Sequence, residues 1–437
     1  MTLTVSRSLL FGVTCLGLAC AGGAPPGAVT PADALRQPNN ASVRFRLAAA
    51  LMAAGRCDTA VVVARAGQLM APANAIGPLV VGGCQEMDGR YDLAFATYTD
   101  FAAQHPQARG VAAVRAKAQL ALRTQAEQTA RQALASESTL TSLPPEPSTL
   151  AVLPVTISAG GDSTFQPLSR GLAELITSDL AMVRSLRLLE RVQIGALLDE
   201  LKLGQTQRGD ATTAARVGRL LRAERMVQGV ASITPNGPVR LSASVVRGDG
   251  TVRSGAEANG TFKELLDLEK QLVFGLATQL GIQLTEAERQ SILRQGPRNL
   301  AAFLAYSQGL DALDRGDYRA AAAAFSAAVR ADPNFQAAQQ QQQAAEAAPA
   351  VEAGGDVVSA VEAVEEPPAP PELPTEGALE STNNETSPPP AGGLPQAAGL
   401  PATPGGEAVK PKLTPESRGI NSVTGASGII RIIFYRP

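Results

Sequence analysis

Residues 40–74 read NASVRFRLAAALMAAGRCDTAVVVARAGQLMAPAN, and residues 74–106 read NAIGPLVVGGCQEMDGRYDLAFATYTDFAAQHP. A step of 34 residues carries Leu47 to Val81, Ala48 to Gly82, Gly55 to Gly89, Asp58 to Asp92, Ala60 to Ala94 and Pro72 to Pro106. Such self-similarity at a fixed period marks a repeat architecture, in which each unit is one helical hairpin. Small residues at Ala48, Gly82, Ala60 and Ala94 let the two helices of a hairpin approach closely. Gly55 and Gly89 end the first helix, where a positive φ costs glycine little. Pro72 and Pro106 stop the second helix and start the next unit.

A third stretch falls on the same template far downstream. Residues 299–335 read NLAAFLAYSQGLDALDRGDYRAAAAAFSAAVRADPNF, with Gly309, Gly316, Ala321, Phe325 and Pro333 at the marked positions. Together the three stretches resemble the tetratricopeptide repeat family, and this resemblance implies surfaces that bind protein segments. The Ala-, Gln- and Arg-rich run 108–136 reads as a closing helix of the first pair, and the Gln/Ala tract 336–348 as a polar capping helix. A single repeat cannot bury its own apolar face. The downstream unit is therefore expected to pack on the rest of this chain or on another chain.

Between the repeats the pattern changes. Pro144, Pro145 and Pro147 mark a linker over 137–148. LAVLPVT at 150–156 is a short apolar run suited to a buried strand. A Gly160-Gly161 turn, a helix over 168–183, a short strand over 186–189, and helices over 191–201 and 211–222 follow. Strands over 225–233, 239–247 and 251–260 are joined by the turns Pro235-Asn236-Gly237 and Gly248-Asp249-Gly250. A helix over 262–280 covers them. The order β-α-β-α-α-β-β-β-α gives an α+β sandwich over 149–284. The whole chain is accordingly α+β: helical hairpins over 40–136 and 298–348 flank this sandwich, and a Pro-rich tail follows.

The runs LAVLPVT (150–156), GLAELITSDL (171–180), the Leu189-Glu190-Arg191 turn and the segment through Ser232 resemble the CsgG/HfaB curli-assembly family and the related TolB N-terminal-like domains. That resemblance implies a periplasmic location, association with the outer membrane, and assembly or transport work without catalysis. Pore-forming members insert long amphipathic hairpins, and a membrane strand needs about 9–11 residues. The hairpin turns here are too short for such insertions, so a non-pore accessory domain is expected.

The chain opens with Arg7 and the apolar run 9–19 (LLFGVTCLGLA), too short to span a bilayer and followed by small residues. This is the pattern of an export signal over 1–21, with a linker over 22–39. Two cleavage readings stand side by side: ordinary secretion with Gly22 as the new terminus, or a lipoprotein box with Cys20 lipidated. Export permits a disulfide between Cys57 and Cys84, while buried small apolar residues are the simpler role for both.

The charge balance, 38 basic against 40 acidic residues in 437, offers no general attraction for nucleic acid or an anionic membrane. One histidine, His105, and no tryptophan leave little material for catalysis or an aromatic pocket. Gly160-Gly161 lacks any phosphate-loop pattern. Glu190 with Arg191 reads as a salt-bridged helix start. Arg216, Arg219 and Arg222, with Asp210 and Glu224 close by, read as a solvated face. No catalytic, cofactor or metal site is assigned. The expected partners are other envelope proteins and, through the α/β domain, a second copy of the chain; contact with the membrane is expected only through a lipid anchor. Residues 349–420 have the composition of an extended linker. The last segment, 421–437, contains the strand former IIRIIFY and is expected to join a sheet edge, that of a partner or of this chain's own α/β domain.

Overall fold

The computed structural model describes residues 30–160, 162–202, 210–234, 237–353, 357–359, 361, 422–425 and 428–431. The export signal, Cys20 and the Pro-rich stretch 362–421 lie outside these residues.

The helices begin with α1 (Pro31–Arg36), α2 (Ala41–Ala53), α3 (Cys57–Met70), α4 (Ile76–Met87), α5 (Tyr91–Gln104), α6 (Val111–Ala135) and the short α7 (Glu137–Leu140). Asn40 caps α2 by accepting the Val43 N–H. Gly55 and Gly89 hold φ of +72° and +71° at the turns out of α2 and α4, a conformation costly to any residue with a Cβ. The small residues let helices touch: a Cβ at Gly82 would run into the Tyr98 ring, and one at Gly67 would meet Phe45. Leu47, Ala48, Ala60, Val81 and Ala94 are buried in one cluster with Leu79, Val80 and Phe101. Pro72 and Pro106 are exposed just beyond α3 and α5.

Cys57 and Cys84 form a disulfide with Cα atoms 5.4 Å apart, pinning the start of α3 to α4. This corrects the simpler role of free buried thiols. Spacing alone did not show that two turns of the array bring residues 57 and 84 together.

The sheet is built from β1 (Glu146–Val152), β2 (Thr156–Ser158), β3 (Arg187–Leu188), β4 (Ala223–Ile233), β5 (Pro238–Arg247) and β6 (Val252–Thr261), with β1 already beginning inside the expected linker. Its order is β3-β1-β4-β5-β6, and β2 also pairs with β4. β1 runs parallel to β3 and β4, and β2 runs parallel to β4. The stretch from β4 to β6 is an antiparallel meander. Helices α8 (Leu168–Leu180), α9 (Arg191–Glu200), α10 (Ala211–Leu220) and α11 (Leu265–Gln279) cover it.

Alternation along the strands splits the core in two. Val227, Ala231 and Ile233 of β4 pack with Leu172, Ile176, Leu272 and Leu276 of α8 and α11. Met226 and Val246 face the other way, onto Ile194, Leu197, Val217 and Leu220 of α9 and α10. The sandwich therefore carries helices on both faces of an open sheet. A contribution absent from the expected domain comes from α6, whose last turns bring Ala130 and Ala133 into the second core.

The chain continues through α12 (Glu286–Arg294), α13 (Leu300–Asp314), α14 (Tyr318–Ala331) and α15 (Gln336–Glu352). Gly309 lies against the Phe325 ring, Gly316 holds φ +75°, and Ala321 and Phe325 are fully buried beside Tyr306. Pro333 is exposed after α14. Phe303 of α13 enters the core of the α/β domain, and Ser307 seats against Gly171 of α8. On its other side this unit reaches the first helical array. Ala347, Ala348 and Val351 of α15 pack on Ala116 of α6, and Gln119 donates to Gln341 at 2.5 Å. The Gln/Ala tract is thus a bridge, correcting the expectation of a polar cap, because its alanines present a flat face to α6. The α/β domain emerges as an insertion held between two helical segments that meet again in space.

A further expectation changes. Arg216, Arg219 and Arg222 are engaged: Arg216 forks onto Glu137 at 2.7 and 2.8 Å, Arg219 donates to the Gly248 carbonyl, and Arg222 binds the Pro144 carbonyl and Glu146. They tie α10 to α7, the β5–β6 turn and the start of β1, because that end of the domain is stitched by polar contacts. At the C-terminus, β7 (Ser422–Gly425) and β8 (Gly428–Arg431) pair with each other as a hairpin. Residues 432–437 of the expected strand former lie outside the described residues; within 422–431 the two strands pair locally, through a short loop that closes at a low entropic cost.

Candidate functional site

The polar junction between the helical segments and the α/β domain encloses a cavity of about 720 Å³. Its place follows from topology. β1 is followed in sequence by β3 on one side, and then by β4 on the other, so the chain reverses its direction of winding at β1. In open α/β sheets the crevice beyond the carboxyl ends of strands at such a reversal is where ligands bind. Pro154, Val155, Thr156 and Ile157 carry the chain from the end of β1 along this crevice. The helices α6, α8, α9, α13, α14 and α15 close the rest.

A charged cluster forms one wall. Arg191, the first residue of α9, donates to Asp314 at 2.7 and 3.0 Å and to Glu174 at 3.1 Å. Arg170, in the first turn of α8, reaches Asp314 at 2.6 Å and Asp311 at 2.7 Å. Arg315 also pairs with Asp311. Burial pushes the Asp314 carboxyl up, but Arg191 and Arg170 outweigh it and hold the group below its ordinary value. Burial lowers Arg191 and its two carboxylates more than restore it, so it stays charged. Glu174 is raised by burial against the pull of Arg191.

Glu190 behaves differently. It stands at the N-cap of α9, yet its side chain caps nothing, and its carboxyl has no hydrogen-bond partner among the described residues. It is half-buried on the cavity wall. Burial first, and then neighbouring Glu174, push its carboxyl up to about 8 despite the nearby Arg191. The expected Glu190–Arg191 helix-start salt bridge is therefore corrected: Arg191 turns to Asp314 and Glu174 because those offer a bidentate fork and burial together. Asp311 and Asp314 were missed from the sequence. Their signal is two acids at i,i+3 spacing in an otherwise Ala/Leu helix, which places both on one face.

A second buried group lies away from the cavity. Asp179 of α8 accepts from Lys270 of α11 at 2.5 Å, while Glu269, also fully buried, stands 3.5 Å from the same ammonium with both oxygens lacking a hydrogen bond. Burial raises both carboxyls. Among the described residues no group of three or more His, Cys, Asp or Glu is arranged to hold a metal. His105 ends α5 and stacks on Phe101 at 5.1 Å. Among the described residues no helix is long and apolar enough to cross a membrane.

Comparison with known proteins bears on the region around β1. Residues 98–235 match the family model of the curli production assembly/transport component CsgG. The chain thus carries a CsgG-like domain. The match starts within α5, takes in all of α6, and runs to the end of β4, in keeping with the packing of α6 onto that domain. A family described as an assembly and transport component supports a non-enzymatic assignment for the chain. No curated protein matches. A solved tetratricopeptide repeat protein from Parabacteroides merdae is similar at 12% identity, over 70% of this chain and 98% of that one, with a TM-score of 0.17. That score is too low to carry an argument.

Proposed function

We propose that this chain is a non-enzymatic subunit of an envelope secretion or curli-like assembly apparatus, exported to the periplasm and anchored to the outer membrane through lipid on Cys20. The match of residues 98–235 to the curli assembly/transport family carries the reading. The Cys57–Cys84 disulfide supports it, because such bonds persist in oxidising compartments such as the periplasm.

The helical segments serve as tetratricopeptide repeats that bind protein partners. The 34-residue spacing, the paired left-handed glycines at 55 and 89, and the small-on-aromatic contacts Gly82–Tyr98 and Gly309–Phe325 support this. The face of α3 carrying exposed Val62, Leu69 and Met70 is the partner surface of the first array. The domain acts beside a pore and does not line it: β4–β5 and β5–β6 are joined across residues 234–237 and 248–251, with no room there for membrane strands.

Metabolic labelling with a palmitate analogue, followed by envelope fractionation, tests the location. Label in the outer membrane, lost in Cys20→Ala with release of the protein, is expected. An unlabelled protein recovered from the cytoplasm contradicts the reading.

A further inference from the structure

We propose that the cavity at the end of β1 receives a short extended peptide segment and holds a Lys or Arg side chain of it at Glu190. Three observations carry this, and none depends on where in the cell the protein works.

The first is charge. Arg170 and Arg191 already direct their donors to Asp311, Asp314 and Glu174, so neither of them hydrogen-bonds Glu190. The Glu190 carboxyl faces the cavity without a hydrogen bond among the described residues. On α6, Gln119 Oε1 is likewise buried in the cavity wall without a donor. Two unpartnered acceptors on one cavity ask for an N–H-rich cation, and a buried polar group gains most from the partner it lacks.

The second is backbone. Among the described residues β2 is hydrogen-bonded to β4 on one side only, and Thr156 and Ile157 of β2 line the cavity. A strand with one free edge can add an extended peptide through main-chain hydrogen bonds. A free diamine would make no use of that edge.

The third is size and lining. About 720 Å³ is in the range of small-ligand sites and suits a few residues of extended chain. Val155, Ile157 and Leu313 supply apolar wall for the methylene stem of a Lys or Arg whose charged end reaches a polar group.

Binding needs Glu190 ionised; Glu174 and Arg191 act on it directly, and the other charged or titratable groups on the cavity are Arg123, Glu127 and Arg131 of α6, Arg170 of α8, Asp199 and Glu200 of α9, Asp314 of α13 and Tyr318 of α14. Glu190 is poised near neutrality, so affinity rises as pH rises through its titration.

The test uses the full chain and two fluorescein-labelled, capped peptides, Ser-Val-Lys-Val-Ser and the same sequence with norleucine for Lys, read by fluorescence anisotropy at pH 7 and pH 9. The Lys peptide should bind at least about tenfold tighter than the norleucine peptide, and tighter at pH 9 than at pH 7. That preference should vanish in Glu190→Gln and persist in Glu286→Gln, an exposed carboxylate of α12 that does not line the cavity. Putrescine should compete weakly. Equal binding of the two peptides by the unaltered protein, which needs no variant to fold, overturns the proposal. So does no binding of either peptide, an unchanged preference in a folded Glu190→Gln, or putrescine binding as tightly as the peptide.

Discussion

Arg191 opens α9 and Asp314 closes α13, and the two meet through a bidentate pair at 2.7 and 3.0 Å. Each alone has the wrong sign for its helix end, since a cation is disfavoured at an N-terminus and a carboxylate at a C-terminus. Together they cancel, and in doing so they bolt the downstream helices to the α/β domain. Arg191 is 8% exposed, so little solvent screens the pair.

Removing Arg191 leaves the buried Glu174 without its cation and strips Asp314 of one of its two, Arg170 remaining. Arg191→Ala should therefore cost about 3–5 kcal/mol in urea denaturation, the typical penalty for breaking a buried pair from one side. The exposed pair Arg240–Glu257 provides the contrast, and Arg240→Ala should leave the urea midpoint almost unchanged. A similar small loss for both would mean the domains are not held together by this cluster.

Close helix packing at the small residues gives a second expectation. A Cβ at Gly309 runs into the Phe325 ring, which is fully buried and has no room to move. Gly309→Ala should lose about 1–3 kcal/mol, the usual cost of overpacking a core. At Gly89 a Cβ meets nothing within 4 Å, so only the left-handed backbone resists it, and Gly89→Ala should cost about 1 kcal/mol. Thermal melts of the two variants side by side would check the order.

The disulfide spans a separation of 27 residues. Loop-closure entropy for such a ring corresponds to about 3–4 kcal/mol of stabilisation. Reduction, or Cys57→Ser together with Cys84→Ser, should lower the first melting transition and leave the core around α8 and α11 intact. Hydrogen exchange can locate the loss; protection lost evenly over the whole chain would contradict it.

The raised carboxyl of Glu190 makes stability depend on pH in a definite direction. Folded, it keeps its proton up to about 8; unfolded, it releases it near the ordinary 4.5. Between those values the unfolded chain binds fewer protons, so stability falls as pH rises. Solvent at the half-buried carboxyl keeps the effect below its full linkage value. Glu190→Gln should match the unaltered protein at pH 4 and melt higher at pH 8.5. Parallel melting curves across that range would show that Glu190 is freely solvated.

The helical hairpins were legible in the sequence because their signals are local: a period, a glycine after one helix, a proline after the next. Most strands were legible for the same reason, down to the turns at 234–237 and 248–251. What escaped depended on distance along the chain. The Cys57–Cys84 bond, the meeting of Ala116 with Ala347 and Ala348, and the Arg170–Arg191–Asp311–Asp314 cluster all join residues whose neighbourhood only the folded path creates. Arg216, Arg219 and Arg222 looked solvated because their partners, Glu137, Gly248 and Pro144, lie far off in sequence. β2 was missed for being short, and it is the strand whose free edge lines the cavity.

The proposed role of this chain is that of a subunit of an envelope assembly. In-cell crosslinking of the tagged full-length chain, followed by retrieval from solubilised outer membrane and identification of what comes with it, tests that role most directly. The expected result is a crosslinked complex containing outer-membrane secretion or assembly proteins, with contacts mapping to α3 and the CsgG-like domain. Recovery of the chain alone, with no outer-membrane protein attached, would contradict it.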